Sequence, residues 1–279
     1  MHLTRFLSAL TLGACVAALP AAADQGVSLA TGYTDFTTWS LFGSATAQNA
    51  TPGNGFTYSN LILTQAGTGG QGGAGFAPQA LSLDFNQAFS FDFHFFIPAS
   101  TGLRGDGLTF TLASATGVGN AGSGLGYEGL SPASVAFAVD TFNFDGEPVS
   151  PSVQILAAGS ATPLAVTLTG LGDAIRDPNY QWLAAVHYQP SGLGDNAGTL
   201  TGTITHPDLG TFSVSAAVSF ADLGLVGTPV YYGFTAANGA ATDGHFITSA
   251  VAVPEPGAWA LILAGLGCLA VLTRRRARA

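Results

Sequence analysis

The sequence predicts an all-β protein, built as an antiparallel β-sandwich between an N-terminal signal peptide and one apolar C-terminal helix. Three observations lead to this fold class. Short segments alternate apolar and polar residues, turn-forming residues separate these segments, and helix signals are almost absent from the glycine-rich middle of the chain. About 230 residues lie between the two ends, which is enough for one large all-β domain.

The N-terminal residues have the pattern of an export signal. Arg5 supplies a positive charge, residues 6–19 are apolar, and "PAAAD" offers a small-residue cleavage site after Ala23. Residues 1–23 are therefore predicted to be a signal peptide. An alternative stays open, because "LGAC" also has the form of a lipobox in which Cys15 would carry the lipid.

The clearest strand segment is Phe89–Ile97, "FSFDFHFFI", where aromatic residues alternate with polar ones as in a strand with one buried face. Later segments with the same character are "LTFTLAS", "SVAFAV", "SVQIL", "AVTLTG", "WLAAVHY", "LTGTITH", "TFSVSAAV", "VYYGFTA" and "HFITSAV". We find no internal repeat, and the Gly-rich residues 67–75 are the one candidate linker. Residues 24–252 are predicted to form one domain.

Charge and cysteine content restrict the function of this domain. Between Asp24 and Ala252 fifteen acidic residues face two arginines and no lysine, a net charge near −13. Such a surface repels nucleic acid and anionic membranes, so neither is expected as a partner. Both cysteines, Cys15 and Cys268, lie in the end segments, which excludes a disulfide or a thiolate metal site in the domain.

The C-terminal segment, residues 253–279, combines three features. In order they are Pro254, Glu255 and Pro256, an apolar run at residues 257–273, and a basic cluster with Arg274, Arg275 and Arg276. This arrangement resembles the PEP-CTERM sorting signal of Gram-negative bacteria. The resemblance implies transient anchoring in the inner membrane, processing by an exosortase, and delivery to the cell surface or the exopolysaccharide matrix. A plain membrane anchor is the alternative, since basic residues mark the cytoplasmic end of a spanning helix.

Four segments of the domain, taken in order, resemble the L-type (legume-type) lectins, especially bacterial members. They are "GDGLTFTLAS" (105–114), "GSGLGYEGL" (122–130), "SVAFAVDTFNFDGEPVSPSVQI" (134–155) and "YYGFTAANGAATDGHFITSA" (231–250). The resemblance spans roughly Phe36 to Ala250. It implies a legume-lectin-like jelly roll, also called concanavalin A-like, with a sugar held in a shallow cup at the rim of a curved sheet.

The resemblance also assigns residues to the sugar cup. An Asp flanked by glycine accepts hydrogen bonds from two sugar hydroxyls in this family, and Asp106 occupies that position. A backbone N–H of a Gly-rich loop donates another bond, which corresponds to Ser123 or Gly124. An aromatic side chain stacks on the sugar ring, and Phe142 or Phe144 would do so here.

The last loop of the cup, residues 237–245, is the part that sets specificity in these lectins. His245 at its end is a candidate ligand contact. His94 and His187 alternate within strand segments and are expected either at the surface or with their hydrogen bonds satisfied. No histidine of the domain stands near a nucleophile motif.

The acidic stretch "VDTFNFDGEP" resembles the loop with which these lectins bind Ca²⁺. Asp140 and Glu147 match the two bridging carboxylates, and the carbonyl of Phe142 matches the backbone ligand. Ca²⁺ takes six to eight oxygen ligands, so a carboxylate-rich loop suits it. The alternative is an ordinary turn whose acidic side chains are solvated.

Departures from the family pattern limit the metal prediction. Phe144 stands where the family has Asn, so Asn143 or Asp145 would supply that ligand only if the loop is shifted by one residue. Ala138 replaces the family's leading Glu, and Ser152 or the residue after it replaces a His. Those two positions ligate the neighbouring transition metal, which is therefore not expected here. Ca²⁺ is the one predicted cofactor.

The sequence thus predicts an exported, calcium-assisted, carbohydrate-binding protein that is not an enzyme. Its expected partner is a glycan or exopolysaccharide. One alternative is a structural or adhesive matrix protein on the same scaffold. The other is a glycoside hydrolase, which needs two carboxyl groups facing one glycosidic bond. Ala138 stands where such an array would begin. The strands carry no readable signal of oligomeric state.

Overall fold

The computed structural model of the protein describes residues 25–52, 55–98 and 102–252. The predicted signal peptide, Cys15 and the predicted sorting segment at 253–279 lie outside these ranges. Within them, no helix combines the length and apolar character needed to cross a membrane.

The described ranges form fifteen β-strands and three short 3-10 helices. The strands are β1 Val27–Ser28, β2 Ser40–Gly43, β3 Thr46–Ala50, β4 Phe56–Thr64, β5 Gln71–Phe76, β6 Phe89–Phe96, β7 Gly107–Ala113, β8 Ser134–Asp140, β9 Ser152–Ala157, β10 Ala165–Leu168, β11 Trp182–Pro190, β12 Ala197–His206, β13 Gly210–Ser219, β14 Tyr231–Asn238 and β15 His245–Ala252. The 3-10 helices are Phe36–Thr38, Gly122–Gly124 and Gly172–Ile175.

The strands form two sheets that pack face to face. One sheet has eight strands in the order β13-β12-β11-β6-β15-β4-β3, with β1 parallel to β6. The other has seven strands in the order β10-β9-β8-β7-β14-β5-β2, all antiparallel. The predicted all-β antiparallel sandwich is confirmed.

Aromatic side chains fill the space between the sheets. In β6 the phenylalanines at alternate positions are buried, while the polar residues between them face outward. Phe91 meets Phe110 of the opposite sheet with ring centroids 4.8 Å apart, and Phe93 meets Phe234 at 4.7 Å. Strict alternation is what a strand needs when one face lies against a core and the other against water.

The Gly-rich segment at residues 67–75 is only partly a linker, which corrects the sequence interpretation. Its second half is strand β5, paired with β14 and β2. A Cβ on Gly73 would lie 2.0 Å from the carbonyl oxygen of Leu63, and one on Gly75 would lie 2.8 Å from the Leu61 side chain. Glycine is required because β4 of the other sheet approaches this strand too closely for side chains.

One end of the seven-stranded sheet brings together the segments that the sequence analysis assigned to the sugar site. Gly107, which opens β7, pairs with Asp140 at the end of β8 and with Ala237 near the end of β14. The segments before β7, after β8 and after β14 therefore meet at this edge. The 3-10 helix Gly122–Gly124, between β7 and β8, packs against β14 nearby.

Candidate functional site

The backbone of Asp106 is fixed between two neighbouring strands. Its N–H donates to the carbonyl of Ala237, at 3.0 Å, and its own carbonyl accepts from the N–H of Thr141 at 2.8 Å and from that residue's hydroxyl at 3.2 Å. The peptide that joins it to Gly105 is cis. These bonds point the segment around Asp106 at the junction of three loops.

A cavity of about 350 Å³ opens at this junction. Its lining consists of Asp106, Ala121, Gly122, Ser123, Phe142, Phe144, Gly239, Ala240 and Ala241. Four of the residues that the sequence analysis assigned to sugar binding therefore come together here: Asp106, Ser123, Phe142 and Phe144. The small residues of the lining leave room for a ligand beside a carboxylate and two aromatic rings.

Asp106 lines this cavity, and one oxygen of its carboxylate has no hydrogen-bond partner. Asp106 is 5% exposed, and the oxygen without a partner is the buried Oδ2. Burial raises the pKa of Asp106 to about 6, against a lowering effect of the Gly239 backbone hydrogen bond. A Cβ on Gly239 would lie 3.2 Å from Oδ2, and one on Gly122 would lie 3.6 Å from it. Glycine at both positions therefore keeps a side chain from packing against this oxygen.

The two aromatic residues of the lining are held differently. Phe142 is partly buried against Gly105, where an added Cβ would lie 2.5 Å from the Phe142 Cβ. Phe144 also lines the cavity and is 63% exposed. An exposed aromatic ring beside a carboxylate suits a ligand that has an apolar face and hydroxyl groups on its edge.

Gly124 and His245 do not lie in the lining, although the sequence analysis placed both in the sugar site. Gly124 packs tightly against Asn120 and Glu128. His245 is fully buried, and its Nδ1 lies 2.7 Å from the hydroxyl of Thr64. Burial lowers the pKa of His245 to about 3. It is a neutral residue of the interior because it opens β15, whose inner face packs into the core.

Asp140 is buried and its two oxygens are already hydrogen-bonded. Oδ1 accepts from the Phe142 N–H at 3.1 Å, and Oδ2 accepts from the Gln154 side-chain amide at 2.8 Å. Gln154 also donates to the Ser152 hydroxyl, at 2.9 Å. Burial raises the pKa of Asp140 to about 7, and the charges of Glu147 and Asp106 act in the same direction.

The other predicted calcium ligands do not gather around Asp140. Asn143 and Asp145 are exposed, and the Glu147 carboxylate accepts a hydrogen bond from the N–H of Phe144 within its own turn. In the described part of the chain, no three His, Cys, Asp or Glu side chains are grouped so that they could hold a metal ion. The residues in this arrangement do not fit a calcium ion.

Sequence reasoning missed the groups that support these loops. The buried Arg176 forms an ion pair with the buried Asp243, Nη2 to Oδ1 at 2.8 Å, and Asp243 also accepts from the N–H of Gly105 at 3.0 Å. Arg104 donates from Nε to the carbonyl of Thr141. The signal was present, since these are the only two arginines between residues 24 and 252.

Comparison with solved structures places this architecture among the lectins. A lectin from Bauhinia forficata in complex with GalNAc is 22% identical, with a TM-score of 0.60 over 80% of this chain and 97% of that one. The metal-free form of lectin I-B4 from Griffonia simplicifolia is 21% identical, with a TM-score of 0.59 over 77% and 93%. The sandwich has the legume-lectin fold. The Ca²⁺/Man-bound exoplasmic domain of VIP36 is also similar, at 18% identity and a TM-score of 0.52 over 77% and 83%.

The end of the chain matches a family model of its own. Residues 252–277 match the PEP-CTERM protein-sorting motif, which confirms the predicted sorting signal and contains its Pro-Glu-Pro and arginine residues. This motif indicates export and sorting to the cell envelope or the extracellular space. No curated protein sequence matches the chain significantly. The lectin-fold domain and the sorting motif together account for residues 25–277, apart from the short undescribed gaps.

Proposed function

We propose that the lectin-fold domain, residues 24–252, binds a glycan in the cavity around Asp106. The observation that carries this proposal is that Asp106 lines the cavity and that its buried Oδ2 has no hydrogen-bond partner. A buried carboxylate oxygen without a donor is costly, and a sugar hydroxyl would supply one. Phe142 and Phe144 offer rings to the apolar face of the sugar, and Ser123 offers polar atoms beside them.

The structural neighbours support a sugar as the ligand. Two of them were solved with GalNAc and with Man. The exported domain itself has a net charge near −13, so an uncharged surface glycan or exopolysaccharide is the class that meets least repulsion. Specificity would depend on Gly239, Ala240 and Ala241, the residues of the last loop that line the cavity.

A binding protein fits this cavity better than a glycoside hydrolase does. Hydrolysis of a glycosidic bond uses two carboxyl groups that flank it. Of the described residues that line the cavity, Asp106 alone has a carboxylate. Asp140 and Glu147 lie near enough to influence its charge but are outside the lining. The similarity to lectin structures also favours a binding protein.

Calcium assistance stays a prediction. The Ca²⁺/Man-bound neighbour favours it. The hydrogen bonds that occupy Asp140 and Glu147 oppose it. A ligand that binds only the folded state raises the melting temperature, so thermal unfolding with and without millimolar Ca²⁺ measures the effect directly.

Asp106→Asn tests the glycan proposal against the scaffold alternative. Charge-assisted hydrogen bonds contribute about 1.5–3 kcal/mol each, whereas a millimolar sugar affinity amounts to only about 4 kcal/mol. The substitution gives a sugar hydroxyl the wrong partner, so we expect binding on a glycan array and by titration to disappear. Asp208→Asn is the matched control, since it removes an exposed charge far along the chain at the β12–β13 turn.

Two results would decide against this site. Wild-type protein that binds no glycan on a broad array would favour a structural or adhesive matrix protein. Binding that persists unchanged in Asp106→Asn would place the sugar elsewhere. Equal melting temperatures of the variant and the wild type are required for either comparison.

We further propose that the sorting motif delivers the domain to the cell surface or matrix after transient anchoring and exosortase processing in a Gram-negative cell. Deleting residues 274–279 should misplace the protein without unfolding the domain, because the arginine cluster lies beyond the last strand. Cell fractionation measures the location, and resistance of the domain to protease measures its folding. Normal delivery of the truncated protein would contradict the sorting role.

A further inference from the structure

Two positive side chains lie behind the glycan cavity and contact the loops that form it. Arg104 donates from Nε to the carbonyl of Thr141 and from Nη1 to Asp173 Oδ1, the latter at 2.7 Å. Arg176 pairs with Asp243. Its Nε donates to Oδ2 at 3.0 Å, and its Nη2 lies 2.8 Å from Oδ1 as an ion pair without hydrogen-bond geometry. A charge-assisted hydrogen bond together with an ion pair holds the Asp243 carboxylate in position.

The side chains of both arginines are connected to the Gly105–Asp106 backbone through one intervening residue. Thr141, which Arg104 holds, donates to the carbonyl of Asp106 from its N–H and its hydroxyl. Asp243, which Arg176 holds, accepts from the N–H of Gly105. The loop before β7, the loop after β8 and the loop after β14 are thus linked through two guanidinium groups.

The side-chain amide of Gln154 supports Asp140, the carboxylate that the sequence analysis assigned to calcium. Gln154 is 2% exposed in β9, and its register partner in β8 is Ala138. Its side-chain amide donates to Asp140 Oδ2 and to Ser152. Asp140 in turn accepts from Phe142, so the start of the aromatic loop is fixed by hydrogen bonds within the protein.

We propose that this network, and not a bound metal ion, orders the glycan site, with Arg104 and Arg176 as its positioning residues. We name Arg104, Arg176, Asp243 and Gln154 the loop brace. The calcium ligands predicted from the sequence all lie within residues 140–147, so an ion held by them alone would not link this stretch to the loops before β7 and after β14. The guanidinium of Arg104 holds the Thr141 carbonyl, and that of Arg176 holds the Asp243 carboxylate. The expected effect on glycan affinity rests on the proposed function, but the expected effect on loop order does not.

Hydrogen exchange of backbone amides in the full-length protein measures the ordering without a glycan. The informative amides belong to Gly105, Thr141 and Phe142, because each donates within the site. In wild-type protein treated with EDTA we expect exchange rates within twofold of those measured with millimolar CaCl₂ or MnCl₂. Glycan affinity, where a glycan binds, should also agree within twofold between these conditions.

Arg104→Met removes the donors but keeps an apolar chain of similar length. We expect at least a tenfold faster exchange at Thr141 and Phe142, and at least a tenfold weaker glycan affinity, while core amides such as that of Phe110 keep their wild-type rates. Arg104→Lys retains a charge and a donor and should recover part of both effects. Asp173→Asn is the matched control. It removes the 80% exposed ion-pair partner of Arg104 and leaves the bond to Thr141 intact, so its exchange rates should stay within twofold.

Each outcome decides the inference. Calcium that slows exchange tenfold in the wild type, or that restores protection in Arg104→Met, would overturn it. So would Arg104→Met with wild-type exchange at Thr141. If the wild type binds no glycan but the exchange results are as expected, the proposed function fails and the brace stands. A loss of protection throughout the core in Arg104→Met would show a general structural role and would also overturn the inference.

Discussion

Asp106 and Asp243 are two buried aspartates on adjoining loops that differ in whether a positive charge faces them. Asp243 is fully buried and paired with Arg176, whose Nε donates to Oδ2 and whose Nη2 lies 2.8 Å from Oδ1. Asp106 is nearly as buried and lines the cavity, and its Oδ2 has neither a hydrogen-bond partner nor an ion pair. A carboxylate can leave water at low cost only when a donor or a cation replaces the solvent.

The difference indicates that Asp243 has a structural role and that Asp106 is available to a ligand. The domain has only two arginines, and both support the loops around Asp106 without contacting its carboxylate. The cost of the unpaired oxygen would be offset only when a ligand donates to it. That arrangement is typical of a binding site whose polar group is positioned in advance.

The largest effect is expected when the paired aspartate loses its partner. Arg176→Met leaves the charge of Asp243 buried and uncompensated, which should lower the free energy of unfolding by about 3–5 kcal/mol. Asp106→Asn removes a charge that is already unpaired and should leave it unchanged or raise it. Urea denaturation of both variants measures the contrast. Similar losses in the two variants would mean that Asp106 also has a structural partner.

A second prediction separates stability from binding by pH. The pKa of Asp106 is raised to about 6 and that of Asp140 to about 7, mainly by burial, so the folded state binds protons that the unfolded state releases near pH 4. Stability that comes from this protonation is present at low pH and is lost as pH rises through 6 and 7. His245, whose pKa burial lowers from 6.5 to about 3, acts in the opposite direction below pH 6.5 and is shared by the wild type and Asp106→Asn. The melting temperature of the wild type relative to Asp106→Asn should therefore increase from pH 8 to pH 5.

Glycan binding should change in the opposite direction over the same range. An ionised Asp106 accepts hydrogen bonds from sugar hydroxyls with both oxygens, whereas a protonated one must donate from one of them. Affinity measured by titration should fall as pH drops below 6. The measurements are made in EDTA, so that metal occupancy does not vary with pH. Affinity and melting temperature that rise together toward pH 5 would contradict the assignment of Asp106 to the ligand.

The sequence predicted the sandwich well because alternation records which face of a strand is buried. In β6 every second residue is a buried phenylalanine, and this pattern needs no knowledge of the partner sheet. The same reasoning did not predict strand β5, which was interpreted as part of a linker. Its glycines reflect the close approach of β4, a contact between residues of different strands that no local pattern in the sequence encodes.

The candidate site was predicted in part for a similar reason. Asp106, Ser123, Phe142 and Phe144 were identified through the family resemblance, and they line one cavity. Gln154 was missed because its contact with Asp140 depends on the register of β8 and β9. His245 was misplaced because a polar residue next to a loop gives no sign that its side chain turns into the core.

The smallest effect on folding is expected at Phe144, where binding and stability should separate most cleanly. Phe144 is 63% exposed and lines the cavity. Phe144→Ala should change the free energy of unfolding by less than about 0.5 kcal/mol, as for most surface substitutions. Loss of an aromatic ligand contact commonly costs more than 1 kcal/mol, so glycan affinity should fall about tenfold. Leu193→Ala, which truncates an 82% exposed side chain outside the lining, is the control and should leave affinity unchanged. If Phe144→Ala binds like the wild type, the ring does not contact the sugar, and Phe142 would be the remaining aromatic contact of the site.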